Sequence, residues 1–125
     1  MMKSIRSFTL PLFALCASGT AAHAQADSAE TQFKMRCGAC HTVAPGGASG
    51  PIAPNLRGVV GRKAAASAFK AYSPALKASK LTWTPASLDK YLAAPAVLVP
   101  GTRMMTAVSN PAQRAALIAW LGKQR

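Results

Sequence analysis

Two thiols and an imidazole stand together in the run Cys37-Gly38-Ala39-Cys40-His41, and their spacing narrows the chemistry they can do. Cysteines three apart can close a small disulfide, exchange disulfides as a redox pair or hold part of a metal site. They can also form thioethers to two vinyl groups on one edge of a haem, with the next residue turned under the iron. Each choice makes its own demand on the rest of the chain. An exchange protein needs alternating strands and helices around the motif, and no β-rich run is present. A structural zinc site needs four ligands, whereas Cys37, Cys40 and His41 are the only thiols and imidazole beyond residue 24.

A haem closed on both faces needs a second axial ligand, and with no other histidine available the natural choice is methionine. Met35 sits on the run leading into Cys37 and cannot easily reach the far side of the ring. Met104 and Met105 follow Val99-Pro100-Gly101-Thr102-Arg103, in a loop that could fold over the opposite face.

The first 24 residues read as an export signal. Lys3 and Arg6 precede the apolar stretch from Phe8 to Ala17, and Ala22-His23-Ala24 fits a small-x-small cleavage site. The stretch is broken by Pro11 and falls short of the roughly 20 apolar residues that span a bilayer. The bulky Leu15 before Cys16 is wrong for lipid attachment. The expected organisation is therefore a cleaved signal over 1–24 and one domain over 25–125, in the periplasm; thioether attachment of haem likewise occurs outside the cytoplasm.

Fifteen lysines and arginines against three acids give a net charge of +12, and cleavage would remove Lys3 and Arg6 to leave +10. Such a surface seeks acidic partners. The basic residues are scattered rather than gathered into a stripe with stacking aromatics, so nucleic acid is not expected. Acidic redox proteins, including membrane-bound complexes, fit better. Only Asp27, Glu30 and Asp89 are acidic. They offer no carboxylate pair for acid–base work, and no small-molecule substrate is expected.

Helix starts are legible. Asp27 with Glu30 has the spacing of an acidic capping box ahead of Ala29, Phe33 and Arg36. Ser73-Pro74, Thr84-Pro85 and Asn110-Pro111 each put a capping side chain before a proline at the first helical position. Leu88, Tyr91 and Leu92 make the face of a helix stopped by Pro95. Leu117, Ile118 and Leu121 make the face of a last helix, with Trp120 beside it. Val43 to Pro54 is too rich in glycine and proline for regular structure, and Ala64 to Lys70 is ambiguous. The fold class is all-α, with four or five short helices joined by long loops around something that fills the middle.

From Ala29 to Leu121 the chain resembles the small class I cytochromes c, especially the soluble, mitochondrial-like bacterial members. The resemblance rests on Cys37 to His41, Pro54-Asn55-Leu56, Gly61-Arg62-Lys63, Trp83, Tyr91 and Pro100-Gly101-Thr102-Arg103-Met104, in that order. It implies the cytochrome c fold around one covalent haem c, with thioethers at Cys37 and Cys40. His41 and Met104 would be the iron ligands, and Tyr91 would hydrogen-bond near the Met104 sulfur. Arg62, Tyr72, Trp83 and Thr102 correspond to positions around the haem propionates. Pro54 would offer its carbonyl to the free ring nitrogen of His41, although Gly50-Pro51-Ile52-Ala53-Pro54 lengthens the usual turn and leaves Pro51 as a rival. Ala29 and Phe33 would pack on Leu117 and Trp120. Leu76 stands where relatives often carry a polar residue, which would dry that wall and raise the potential. Arg36 and Arg103 survive from the family's ring of basic residues at the haem edge.

An iron held by His and Met on both faces excludes substrate, so the expected role is that of a monomeric one-electron carrier and not an enzyme. The alternatives are the electron-accepting subunit of a periplasmic dehydrogenase and a small haem peroxidase with an open iron.

Overall fold

Proline fixes φ and lacks an N–H that the first helical turn would leave unpaired, so a capping side chain followed by proline starts a helix cheaply. The computed structural model describes residues 20–125, with side chains from residue 28 onward. It contains α1 (Thr20–Arg36), α2 (Pro74–Ala78), α3 (Pro85–Ala93), α4 (Pro95–Leu98) and α5 (Pro111–Gly122). All three expected proline starts are present. Ser73 Oγ accepts from Leu76 N at 3.1 Å, Thr84 Oγ1 from Ser87 N at 3.1 Å, and Asn110 Oδ1 from Ala112 N and Gln113 N at 2.9 and 3.1 Å. Pro95 ends α3 as expected and, in the same place, begins the single turn of α4.

The capping box at Asp27 is not observed. The backbone is already helical from Thr20, so Asp27 lies inside α1 rather than at its cap. Glu30 instead pairs with Lys34 one turn on, at 2.6 Å. Most of the expected export signal, residues 1–19, lies outside the described residues. Among those described, no helix is long and apolar enough to cross a membrane.

α5 is the hub. α1 packs on it through Phe33, whose ring centre lies 5.0 Å from that of Trp120, with Ala29 buried one turn earlier. On α3, Leu88, Tyr91 and Leu92 share the core with Leu117, Ile118 and Leu121 of α5. Each fully buried side chain of this kind contributes about 1.5–3 kcal/mol.

Between α1 and α2 the chain has no regular structure, yet its backbone is closely tied. Lys63 and Thr82 form an isolated antiparallel bridge, extended by Gly61 N to Trp83 O and Trp83 N to Arg62 O, both at 2.8 Å. Ala65 and Lys80 flank the bridge with φ of 57° and 53°. For residues with a Cβ this left-handed conformation costs about 1–2 kcal/mol each. The Ala64–Lys70 stretch is thereby a turn and not a helix.

Candidate functional site

The run from Cys37 to His41 begins where α1 stops. Cys37 N and Gly38 N both donate to Phe33 O, at 2.8 and 2.9 Å, and Cys40 N and His41 N fold back on Cys37 O at 3.0 and 2.7 Å. The chain therefore turns sharply, with the two half-buried thiols free and close in sequence to the helix end. Gly38 is required here, because a Cβ would stand 2.7 Å from Lys34 O. Burial pushes the Cys37 thiol above its ordinary pKa, only partly opposed by the Arg36 charge, and the neighbouring Cys40 raises it further.

His41 is oriented by the loop that follows. Its Nδ1 lies 2.8 Å from the carbonyl oxygen of Pro54, so the residue that meets it is Pro54 and not Pro51. A ring that donates through Nδ1 keeps Nε2 as its basic nitrogen. Burial pulls the His41 pKa below the usual imidazole value and outweighs the opposing bond to Pro54, so the ring is neutral at neutral pH.

The loop that delivers Pro54 is held by residues whose role the sequence did not reveal. Asn55, only 3% exposed, donates through Nδ2 to Ala44 O and Ala48 O at 3.0 and 2.8 Å, and its Oδ1 accepts from Arg57 N at 2.7 Å. Gly50 lies against the motif itself, where a Cβ would fall 1.9 Å from Cys40 O. Arg57 reaches Val43 O at 3.2 Å and the carbonyl of Arg125.

Farther along the chain, the rings of Trp83 and Tyr91 meet at a tilt of 50°, with their centres 4.9 Å apart. The Tyr91 hydroxyl shares a hydrogen bond of 2.6 Å with Thr102 Oγ1, which also accepts from Met104 N at 3.3 Å. Tyr91 thus acts on the methionine loop two residues before Met104. Burial raises its phenol pKa, more than the Thr102 bond lowers it. Met104 and Met105 both border the same space, but Met104 packs on the core whereas Met105 is 85% exposed. Arg62 holds backbone: its terminal nitrogens donate to Arg57 O and Asn55 O, both at 3.0 Å, leaving further N–H groups on the fork. Tyr72 pairs its hydroxyl with Ser67 and meets Phe69 edge-on.

All ten residues singled out from the sequence line one mostly apolar cavity of about 400 Å³: Cys37, Cys40, His41, Pro54, Arg62, Tyr72, Trp83, Tyr91, Thr102 and Met104. Arg36 and Arg103 border it, and Leu76 is part of its wall. The donor set suits a haem, with paired thiols, a preoriented neutral imidazole and a thioether around a single apolar space. It does not suit zinc, since no group of three His, Cys, Asp or Glu side chains converges on a point among the described residues.

Residues 26–124 match the family model described as cytochrome c. The chain belongs to the cytochrome c family. It is 45% identical over 96 residues to cytochrome c2 of Rhodomicrobium vannielii, covering 76% of this chain and 75% of the relative. With cytochrome c of Guizotia abyssinica it shares 40% over 97 residues, covering 77% of this chain and 86% of the relative. Among solved structures it is similar to cytochrome cH from Methylobacterium extorquens, with a TM-score of 0.67 and 38% identity over 78% of this chain and 94% of that one.

Membership makes the chain a monohaem electron-transfer protein with one covalent haem c, and not an enzyme. When bound, that group supplies an iron that takes up and releases single electrons. The apolar walls of the cavity exclude water, and the Pro54 carbonyl fixes the tautomer and tilt of His41. Tyr91 and Thr102 fix the approach to Met104.

Proposed function

We propose that Cys37 and Cys40 carry the haem through thioethers, that His41 and Met104 are its axial ligands, and that Arg62, Tyr72, Trp83 and Thr102 surround its propionates. In this reading residues 1–24 are a cleaved signal, and residues 25–125 work in the periplasm as a monomeric shuttle between acidic redox proteins, some membrane-bound. The observation that carries it is the convergence of the ten residues on one cavity bordered by Arg36 and Arg103. A cationic rim next to the group that gives up the electron speeds encounter with an acidic patch.

The shuttle reading is tested by purifying the protein at native abundance and following it through high salt. It should separate as a monomer beginning at Gln25, and its electron exchange with an acidic partner should slow steeply as ionic strength rises. A stable complex that persists in high salt would instead make it the bound subunit of a dehydrogenase.

A further inference from the structure

Met104 lies on a strap from Gly101 to Asn110 whose two ends are tied to the same helix. At the leading end, Thr102 Oγ1 meets Tyr91 of α3 at 2.6 Å. At the trailing end, the buried Val108 donates its N–H to Leu92 O, also of α3, at 2.8 Å. Beside Met104, Arg103 Nη1 donates to Ala71 O at 3.0 Å and Met104 N to Thr102 Oγ1 at 3.3 Å, whereas among the described residues the span 105–107 makes no hydrogen bond, so on its trailing side Met104 is held only through the tie at Val108.

One side chain governs the trailing end. Arg114 of α5, with 11% of its side chain exposed, donates from Nε to Asp89 Oδ1 of α3 at 2.7 Å. Its Nη1 donates to Val108 O at 3.0 Å and to Ser109 O at 2.8 Å. A planar guanidinium can serve a carboxylate and two carbonyls at once because its donors point along fixed directions. Asp89 is the only acidic residue on α3. Its charge thus holds in place the cation that clasps the strap.

We propose that Arg114 and Asp89 form a latch that positions Met104, so that loosening the latch lets an outside ligand take the place of Met104 without affecting the His41 side. This rests on the reading of Met104 as an iron ligand. Arg114 and Asp89 are positioning residues, since neither lines the cavity.

The test titrates ferric holoprotein with imidazole and follows loss of the methionine-to-iron absorption band. Asp89→Asn and Arg114→Gln should each bind imidazole about tenfold more tightly than the parent protein, the scale of one charge-assisted hydrogen bond partly lost. The double variant should exceed the stronger single one little, because the two residues act as a unit. Arg114→Lys, which keeps the charge but cannot span the three acceptors, should resemble Arg114→Gln. Ala29→Gly, which weakens the packing of α1 away from the strap, should leave the imidazole affinity unchanged. Unaltered affinity in the latch variants, or an equal rise in Ala29→Gly, overturns the latch. Met104→Ala distinguishes failure of the ligand assignment from failure of the latch. Retention of the band in that variant overturns the ligand reading itself, whereas its loss there, with parental imidazole affinity in the latch variants, overturns the latch alone.

Discussion

At the residue scale, single side chains divide the work of the site between holding and excluding. Met104 packs on the core while Met105 faces solvent. Met105→Ala should therefore keep the methionine-to-iron band and the potential of the holoprotein, and Met104→Ala should lose the band and lower the potential, read by absorption and redox titration. Gly50 makes a sharper case, because its missing Cβ leaves room for the carbonyl of Cys40. Gly50→Ala must displace the Cys37–His41 run and should cost about 1–3 kcal/mol, an overpacking penalty, together with holoprotein yield. Gly46→Ala meets no neighbour and should cost only the strain of its left-handed backbone. Tyr91 carries a pH dependence. Its folded pKa is raised, so the stability it lends is whole below the unfolded tyrosine value of about 10 and is lost as pH rises through the raised value. Tyr91→Phe should flatten the alkaline end of the stability profile in denaturant titrations across that range.

At the element scale, helices were easier to read than the loops that aim the ligands. Ser73, Thr84 and Asn110 announce their helices because a capping oxygen and a proline act within a few residues of each other. Asn110→Ala should accordingly cost about 1 kcal/mol in chemical denaturation, the ordinary value of such a cap. The core face of α5 was equally plain, and Leu117→Ala, at 1% exposure, should cost about 2–5 kcal/mol. The loop clamp was not legible. Asn55, Arg57 and Arg62 act on the carbonyls of Val43, Ala44, Ala48 and one another, and a carbonyl is common to every residue type. Nothing in the sequence of the acceptors marks them. Arg114 escaped for the same reason, since two of its three partners are backbone. Asp27 misled because its spacing to Glu30 suits a cap, but the backbone was already helical seven residues earlier.

At the scale of the whole molecule, short helices and long loops surround an apolar cavity, so the cofactor is part of the core. Cys37→Ser combined with Cys40→Ser should give little folded protein by circular dichroism, since the apoprotein lacks the centre that these walls are built to meet. The ten residues are spread from Cys37 to Met104, mostly in loops, which explains why they could be identified from a family resemblance but not from periodicity. In the proposed reading the iron is closed on both faces, by His41 and by Met104, and so serves as a carrier. Exposure of the ferrous protein to carbon monoxide at neutral pH tests it most directly. Closure on both faces predicts slow and incomplete binding; rapid, complete binding would contradict it.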